Sequence, residues 1–235
     1  MIKLLAGFHN PLSELFDDLG KAPNAFREVT GELFKGPLYI IALVVVLGLI
    51  LGFAYMRKTK ITTRALTQTA LCVALSIILN LLVVYKMPQG GSVTVGAMIP
   101  LFLIALAHGP ALGILAGFLF GLIDMLLGGY IVHPLQMLLD YPLAFMCMGL
   151  IGFLAQRYAL GAVIALSGQL LFSTLSGVIF FSEYAGAMNP WLYSFTYNGT
   201  FILANGVISL ILLKVLPIKR LVRIMNNAGG ELKYW

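Results

Sequence analysis

The stretch YIIALVVVLGLILGFAYM, residues 39–56, carries no charged side chain from end to end. Its length is close to the about 20 residues that a helix needs to cross the hydrocarbon of a bilayer. The rest of the chain agrees with that reading. Of its 235 residues 60% are hydrophobic and only 10% are charged, and the mean hydropathy is +0.96. Soluble domains hold about 45–50% apolar and about 25% charged residues. A barrel would need segments of about 10 residues with alternating polarity, and the long unbroken apolar runs exclude it. The expected fold class is therefore an all-α integral membrane protein.

Outward from that stretch, further spans are expected at about 64–85, 93–107, 110–127, 134–155, 159–181 and 196–216, with the first at 37–56. Residues 1–36 differ in character. They hold five of the nine acids (Glu14, Asp17, Asp18, Glu28, Glu32) and four basic residues, with Leu12, Leu15, Phe16 and Leu19 at near-helical spacing. An amphipathic segment lying on the membrane surface fits this pattern. A cleaved leader does not, because no basic region directly precedes an apolar stretch. The expected organisation is an amphipathic segment over 1–36, an extra transmembrane helix and basic connection over 37–60, a six-helix membrane domain over 61–217 and a basic tail over 218–235.

The net charge of +6 raises the question of nucleic acid, but the basic residues sit at the ends of apolar runs. That is a topology signal, so no nucleic-acid partner is expected and the bilayer is the partner surface. Arg57, Lys58, Lys60, Arg64, Arg157, Lys214, Lys219, Arg220, Arg223 and Lys233 fall on one side, while Lys86 and the acid-rich amino-terminal segment fall on the other. The positive-inside rule then puts the amino end outside and the carboxyl end in the cytoplasm. The outward connections 86–92 (KMPQGGS), 128–133 (GGYIVH) and 182–195 (SEYAGAMNPWLYSF) gather aromatic, amide and carboxylate groups at one mouth.

After Lys35 there are only four acids: Asp124, Asp140, Glu183 and Glu231. Asp140 lies inside a span, where a carboxylate facing lipid costs about 2.5–3.5 kcal/mol on insertion scales. It should face the bundle interior, as a ligand contact or as a polar contact between helices. Gln136 is four residues earlier and shares its helical face. Tyr130, His133 and Tyr141 flank the pair. The last outward connection and the span after it add Glu183, Tyr184, Asn189, Trp191, Tyr193, Tyr197 and Asn198. Carboxylates among aromatics suit an organic cation with a flat ring, held by stacking and cation–π attraction. An interfacial aromatic belt predicts Trp191 and Tyr184 equally well. His133 precedes Pro134 and suits capping or orienting the loop as much as ligand contact. Asp124 lines a pocket, caps a turn or carries a proton, in that order.

Small residues form a second set. Ala70 and Ala74 lie four apart, and Gly109, Gly113, Gly117 and Gly121 recur every fourth position. Both patterns permit close helix approach in lipid. The glycine row suits internal packing; the alanine pair suits either packing or an outward docking face. Cys72 and Cys147 fall inside spans as small packing residues. No zinc spacing, phosphate-binding loop, H-E-x-x-H or G-x-S-x-G occurs, and neither does an inverted repeat of the secondary-transporter kind. No metal, cofactor or enzymatic step is expected, and the chain cannot hydrolyse ATP by itself.

The run KMPQGGSVTVGAMIPLFLIALAHGPALGILAGFLFGLIDMLLGGYIVHPLQMLLDYPLAF (86–145), followed by MNPWLYSFTYNG (188–199), resembles the thiamine-specific substrate-binding subunit of energy-coupling factor (ECF) transporters, over about residues 64–216. The resemblance implies a six-helix S component that binds thiamine from outside. It also implies a transmembrane coupling subunit and two cytoplasmic ATPase subunits as partners. Asp140-Tyr141 matches the family's acid and tyrosine, the acid facing the thiazolium. Tyr130, Tyr193 and Asn198 match positions that contact the vitamin, and Ala70 and Ala74 match the face that docks on the coupling subunit. Two positions depart from the pattern: Ser173 replaces a histidine common in the fifth core helix, and the first outer loop contains no tryptophan. The alternatives are an S component for another cationic or heteroaromatic vitamin precursor, a proton-coupled secondary transporter using Asp124 and Asp140, and a scaffold subunit without a ligand.

Overall fold

The computed structural model describes residues 61–226, together with four helical residues at 47, 48, 50 and 54. The expected amphipathic segment 1–36 lies outside the described residues, as does all of 37–60 except those four. Within the described chain, helix α1 (Thr63–Asn80) starts at Thr62, whose hydroxyl accepts from the Ala65 N–H at 3.2 Å. It buries one narrow face of small or short residues, Ala65, Thr69, Val73 and Ser76. Leu66, Leu71, Leu75 and Ile78 remain exposed, as apolar residues do when lipid is the solvent.

Helix α1 ends five residues before the expected boundary of its span. The chain instead forms an antiparallel hairpin, β1 (Val83–Lys86) with β2 (Ser92–Thr94), pairing Val83 with Thr94 and Lys86 with Ser92. The reason is local. Val83, Val84 and Tyr85 favour extended backbone, and the turn that follows holds Gly90 and Gly91 at φ of 87° and 81°, where other residues are strained. This small sheet is the one departure from an otherwise helical architecture among the described residues.

Helix α2 (Ile99–His108) opens with Pro100 in its first turn and is apolar all round, with only Leu103 and His108 less than fully buried. At about 1.5 Å per residue it spans about 15 Å, shorter than the hydrocarbon of a bilayer. Gly109, at φ 92°, breaks the chain between α2 and α3 (Pro110–Leu126). Phe102, Ile104, Leu106, Phe120, Met148 and Ile151 form the centre of the core around α2.

The next element, α4 (residues 134–157), is irregular. An α-helical start, Pro134–Leu138, widens into a π-helical stretch, Leu139–Leu143, that contains Pro142. Proline has no N–H to give to the preceding turn and its ring crowds the carbonyl four residues back; a π-bulge accommodates both. A short α-turn (Ala144–Met146) and a 3₁₀ stretch (Cys147–Arg157) follow, with a break at Leu154 (φ −123°, ψ 39°) before α5 (Tyr158–Phe180). Helix α6 (Pro190–Val215) starts six residues earlier than expected, because Asn189 caps it by accepting from the Trp191 N–H at 2.9 Å and Pro190 occupies its first turn. Part of the expected tail is also a helix, α7 (Ile218–Asn226). It buries Ile218 and Val222, and α1 holds its last carbonyls through Gln68 Nε2 (3.2 Å) and Arg64 (3.4 Å).

Among the described residues three apolar stretches are long enough to cross a membrane, Thr63–Asn80, Pro134–Phe180 and Pro190–Val215, and α2 and α3 are shorter apolar helices. The break at Leu154 turns the second stretch into two crossings. The described chain is a multi-pass helical membrane domain built on six helical segments, α1 to α6.

The glycine row of α3 lies against α4. A Cβ at Gly121 would sit 2.5 Å from the Tyr141 carbonyl oxygen, one at Gly113 would sit 2.8 Å from Gly149 Cα, and one at Gly117 would collide with the Phe145 carbonyl. Gly117→Ala should therefore lower stability by about 1–3 kcal/mol, read as a drop in the thermal midpoint of the purified protein. Gly199→Ala, whose new methyl would meet only Leu203 Cδ1 at 4.0 Å, should leave the midpoint unchanged or raise it. Equal midpoints for the two variants would refute the packing argument.

Candidate binding site

The π-helical turn of α4 brings Asp140 and Tyr141 to one cavity of about 280 Å³. The volume is near the lower end of the about 300–1,000 Å³ typical of small-molecule pockets. Helix α6 lines it with two stripes at helical spacing, Tyr193, Tyr197, Phe201, Asn205 and Ser194, Asn198. Helix α5 supplies Gln169, Ser173 and Gly177, again four apart. Helix α3 adds Phe120 and Asp124, and α1 adds Asn80.

Asp140 is held firmly on one side. Its Oδ2 accepts from Gln136 Nε2 at 2.7 Å and from Ser176 Oγ at 2.8 Å. No protein hydrogen bond among the described residues reaches its Oδ1. Gln136 also ties down the loop before α4, donating to the Tyr130 carbonyl (3.0 Å) and accepting from the Val132 N–H (3.1 Å). The Tyr141 hydroxyl accepts from the Tyr130 N–H at 2.7 Å, so both backbone groups of Tyr130 are committed to α4. The Tyr130 ring packs on Phe181 with centroids 5.9 Å apart, and Tyr193 packs on Tyr197 at the same separation.

The hairpin forms a wall of the cavity and α6 holds it. The Tyr197 hydroxyl accepts from the Gln89 N–H (2.8 Å) and donates to the Gly90 carbonyl (3.0 Å). Asn205 accepts from the Thr94 N–H (2.9 Å) and donates to the Ser92 carbonyl (2.7 Å). Asp124 Oδ1 accepts from Asn80 Nδ2 at 2.6 Å. Among the described residues two acids, Asp124 and Asp140, and one basic residue, Lys86, line the cavity, so acidic groups outnumber basic ones. Carboxyl groups walled by tyrosine and phenylalanine suit a flat organic cation, whose charge favours the ionised carboxylate beside it.

A family model for the thiamine transporter protein family (Thia_YuaJ) matches residues 66–225. The chain belongs to the thiamine transporter family. Among curated relatives, the thiamine transporter ThiT of Bacillus subtilis (strain 168) is 34% identical over 181 residues, 68% of this chain and 93% of that protein. ThiT of Lacticaseibacillus paracasei is 31% identical over 140 residues, 51% of this chain and 70% of that protein. The solved structure of ThiT from Listeria monocytogenes superposes with a TM-score of 0.58 at 26% identity, covering 67% of this chain and 96% of that one.

For a member of the thiamine transporter family, the placement of the expected residues is informative. Asp140, Tyr141, Gln136, Tyr130, Tyr193 and Asn198 all line the cavity. Glu183, Trp191 and His133 do not. Glu183 and Trp191 are exposed, Trp191 by 58%, in the connection before α6 and in its first turn. His133 caps α4, its Nδ1 accepting from the Leu135 N–H at 3.1 Å while its ring stacks on Phe180 at 4.8 Å. Burial lowers its pKa, which favours the neutral ring that this acceptor role requires. Asp124 takes the first of its three expected roles. Ala70 and Ala74 are exposed on α1. Gln169, Asn205 and Gln89 were not among the expected residues. The first two had a signal, since each is an amide inside an apolar run, and intramembrane polar groups mark function by default.

Tyr197→Phe should release the hairpin turn. Loss of the hydroxyl removes a bond of about 1 kcal/mol, so the Gln89 amide should exchange its hydrogen several-fold faster. Unchanged exchange at Gln89 would show that the turn does not depend on α6.

Proposed function

We propose that this chain is the thiamine-binding membrane subunit of an ECF-type importer. One observation carries the reading. A carboxylate oriented through Oδ2 by Gln136 and Ser176 leaves Oδ1 to a ligand, inside an aromatic cavity whose acidic groups outnumber its basic ones. The thiazolium of thiamine supplies a flat, permanently charged partner for that oxygen, and membership of the thiamine transporter family supports the choice of cation. Tyr130, Tyr141, Tyr193 and Asn198 are the further contacts in this reading. The amino end lies outside and the carboxyl end, with the basic α7, in the cytoplasm, so the hairpin mouth faces the substrate. ATP hydrolysis belongs to two partner ATPase subunits, coupled through a transmembrane partner that docks on the exposed Ala70–Ala74 face of α1.

Calorimetry on the purified chain should detect thiamine binding. Asp140→Asn removes the charge while keeping the shape. Cutting one member of a buried, hydrogen-bonded charge pair costs about 2 kcal/mol or more, so affinity should fall by about 30-fold or more. A neutral isostere of the thiazolium ring should bind wild type and variant alike. Unchanged thiamine affinity in Asp140→Asn would remove Asp140 from the site, and no binding to the wild-type chain would overturn the thiamine reading itself. Ala74→Trp should keep thiamine affinity and lose co-purification with the coupling subunit; retained co-purification would move the docking face elsewhere.

A further inference from the structure

Among the described residues six side-chain amides line the cavity: Asn80, Gln89, Gln136, Gln169, Asn198 and Asn205. Five of them are engaged by the protein. Asn80 donates to Asp124, and Gln89 accepts from the Tyr193 hydroxyl at 3.5 Å. Gln136 and Asn205 have both ends of the amide committed. Asn198 Nδ2 donates to the Ser173 and Ser194 carbonyls at 3.1 and 3.0 Å. Gln169 differs from all of these. It is 3% exposed, its Oε1 is buried without a hydrogen-bond partner, and no hydrogen bond from the described residues reaches its Nε2 either.

A buried amide oxygen without a partner lowers stability, and a Leu at this position of α5 would avoid that penalty. Such a group is retained at a cost in stability when its partner arrives with a ligand. Its position says which part of the ligand that is. Gln169 lies seven residues before Ser176 on the same helix, about 10 Å along the axis, and Ser176 is the residue that orients Asp140. Gln169 and the Ser176 that orients Asp140 therefore sit about two helical turns apart along α5, offering the cavity a carboxylate and a free amide at separate points of its lining. That arrangement suits a ligand of two linked rings better than a single ring.

We propose that Gln169 recognises the aminopyrimidine ring of thiamine, its Oε1 accepting from the exocyclic amino group and its Nε2 donating to the adjacent ring nitrogen. This is the bidentate pair by which Asn and Gln recognise adenine, where an amino donor also stands beside a ring-nitrogen acceptor. The hydroxyethyl group belongs to the thiazolium ring and stays on the Asp140 side. The assignment rests on the thiamine reading above, and it makes Gln169 a determinant of specificity. A site built to hydrogen-bond an amino group discriminates strongly against analogues without one, since the amide is then left unpaired.

The test is a two-by-two calorimetric comparison on the full purified chain. Wild type and Gln169→Leu are each titrated with thiamine and with an analogue whose pyrimidine amino group is replaced by hydrogen. Wild type should bind thiamine about 10–100-fold more tightly than the analogue. Gln169→Leu should lose a similar factor for thiamine and bind the two ligands about equally. The thermal midpoint of the ligand-free variant should match or exceed that of wild type, because an unpaired buried amide has been removed; a purely structural Gln169 predicts a lower midpoint. Gln169→Met, closer in shape, serves as a second variant and should repeat the pattern. Thiamine affinity within about twofold of wild type in either variant overturns the proposal, as does discrimination that survives in Gln169→Leu. A hydroxyl-free thiamine analogue that loses its dependence on Gln169 reassigns the amide to the other ring and overturns the proposal equally. Failure of wild type to bind thiamine at all is a different result, since it overturns the functional reading on which the assignment rests.

Discussion

A methyl group on Gly117 would collide with the Phe145 carbonyl, and one on Gly121 would meet the Tyr141 carbonyl. That backbone-to-backbone approach of α3 and α4 is the constraint on which the site depends. It holds the irregular stretch of α4 against a flat helical face, with no side chains between them to yield. Pro142 alone would kink the helix at an undefined angle. Packed against the α3 glycines, the chain takes the extra residue as a π-widened turn, and Asp140 and Tyr141 emerge from it toward the cavity. In lipid, where apolar burial does little to drive helices together, such close contact supplies much of the association energy.

The second organising feature is the accounting of polar groups. In hydrocarbon each unsatisfied group costs several kcal/mol, and the cavity wall is built to avoid that cost almost everywhere. Gln136 serves Asp140, Tyr130 and Val132 at once. Asn205 supplies an acceptor and a donor to the backbone of β2, so a strand without a sheet beyond β1 can sit against a transmembrane helix. Tyr197 does the same for the turn of the hairpin. These contacts give the hairpin its fixed position although its residues are largely exposed. Against that background Asp140 Oδ1 and the Gln169 amide are cavity-lining groups that no hydrogen bond from the described residues reaches.

Helix existence was legible because apolar run length is a direct consequence of bilayer thickness. Helix boundaries were less so. The span expected over 64–85 loses Val83–Lys86 to a strand, since valine and tyrosine satisfy the hydropathy of a helix and the preference of a strand alike. The start of α6 moved to Pro190 because Asn189-Pro190 is a capping signal that outweighs the polar look of the connection. The site was legible where a polar residue interrupts an apolar run: Asp140, Gln136 and Asn198 stood out for that reason. Glu183, Trp191 and His133 looked equally suitable, and the structure leaves them outside the cavity. At a membrane boundary, polar and aromatic residues occur with or without a ligand, so residue type there does not separate a pocket wall from an interfacial belt or a helix cap.

By itself, then, the sequence determined the solvent, the helical class and the short inventory of residues able to hold a cation. Composition and run length act through the transfer free energy of each residue, which needs no knowledge of neighbours. Only the tertiary structure decided which members of that inventory meet. The π turn at Asp140, the hairpin held by Tyr197 and Asn205, and the free amide of Gln169 all depend on contacts between segments tens of residues apart. Hydrogen-bond satisfaction is a property of such contacts, because a buried amide is engaged or free according to what another helix places beside it.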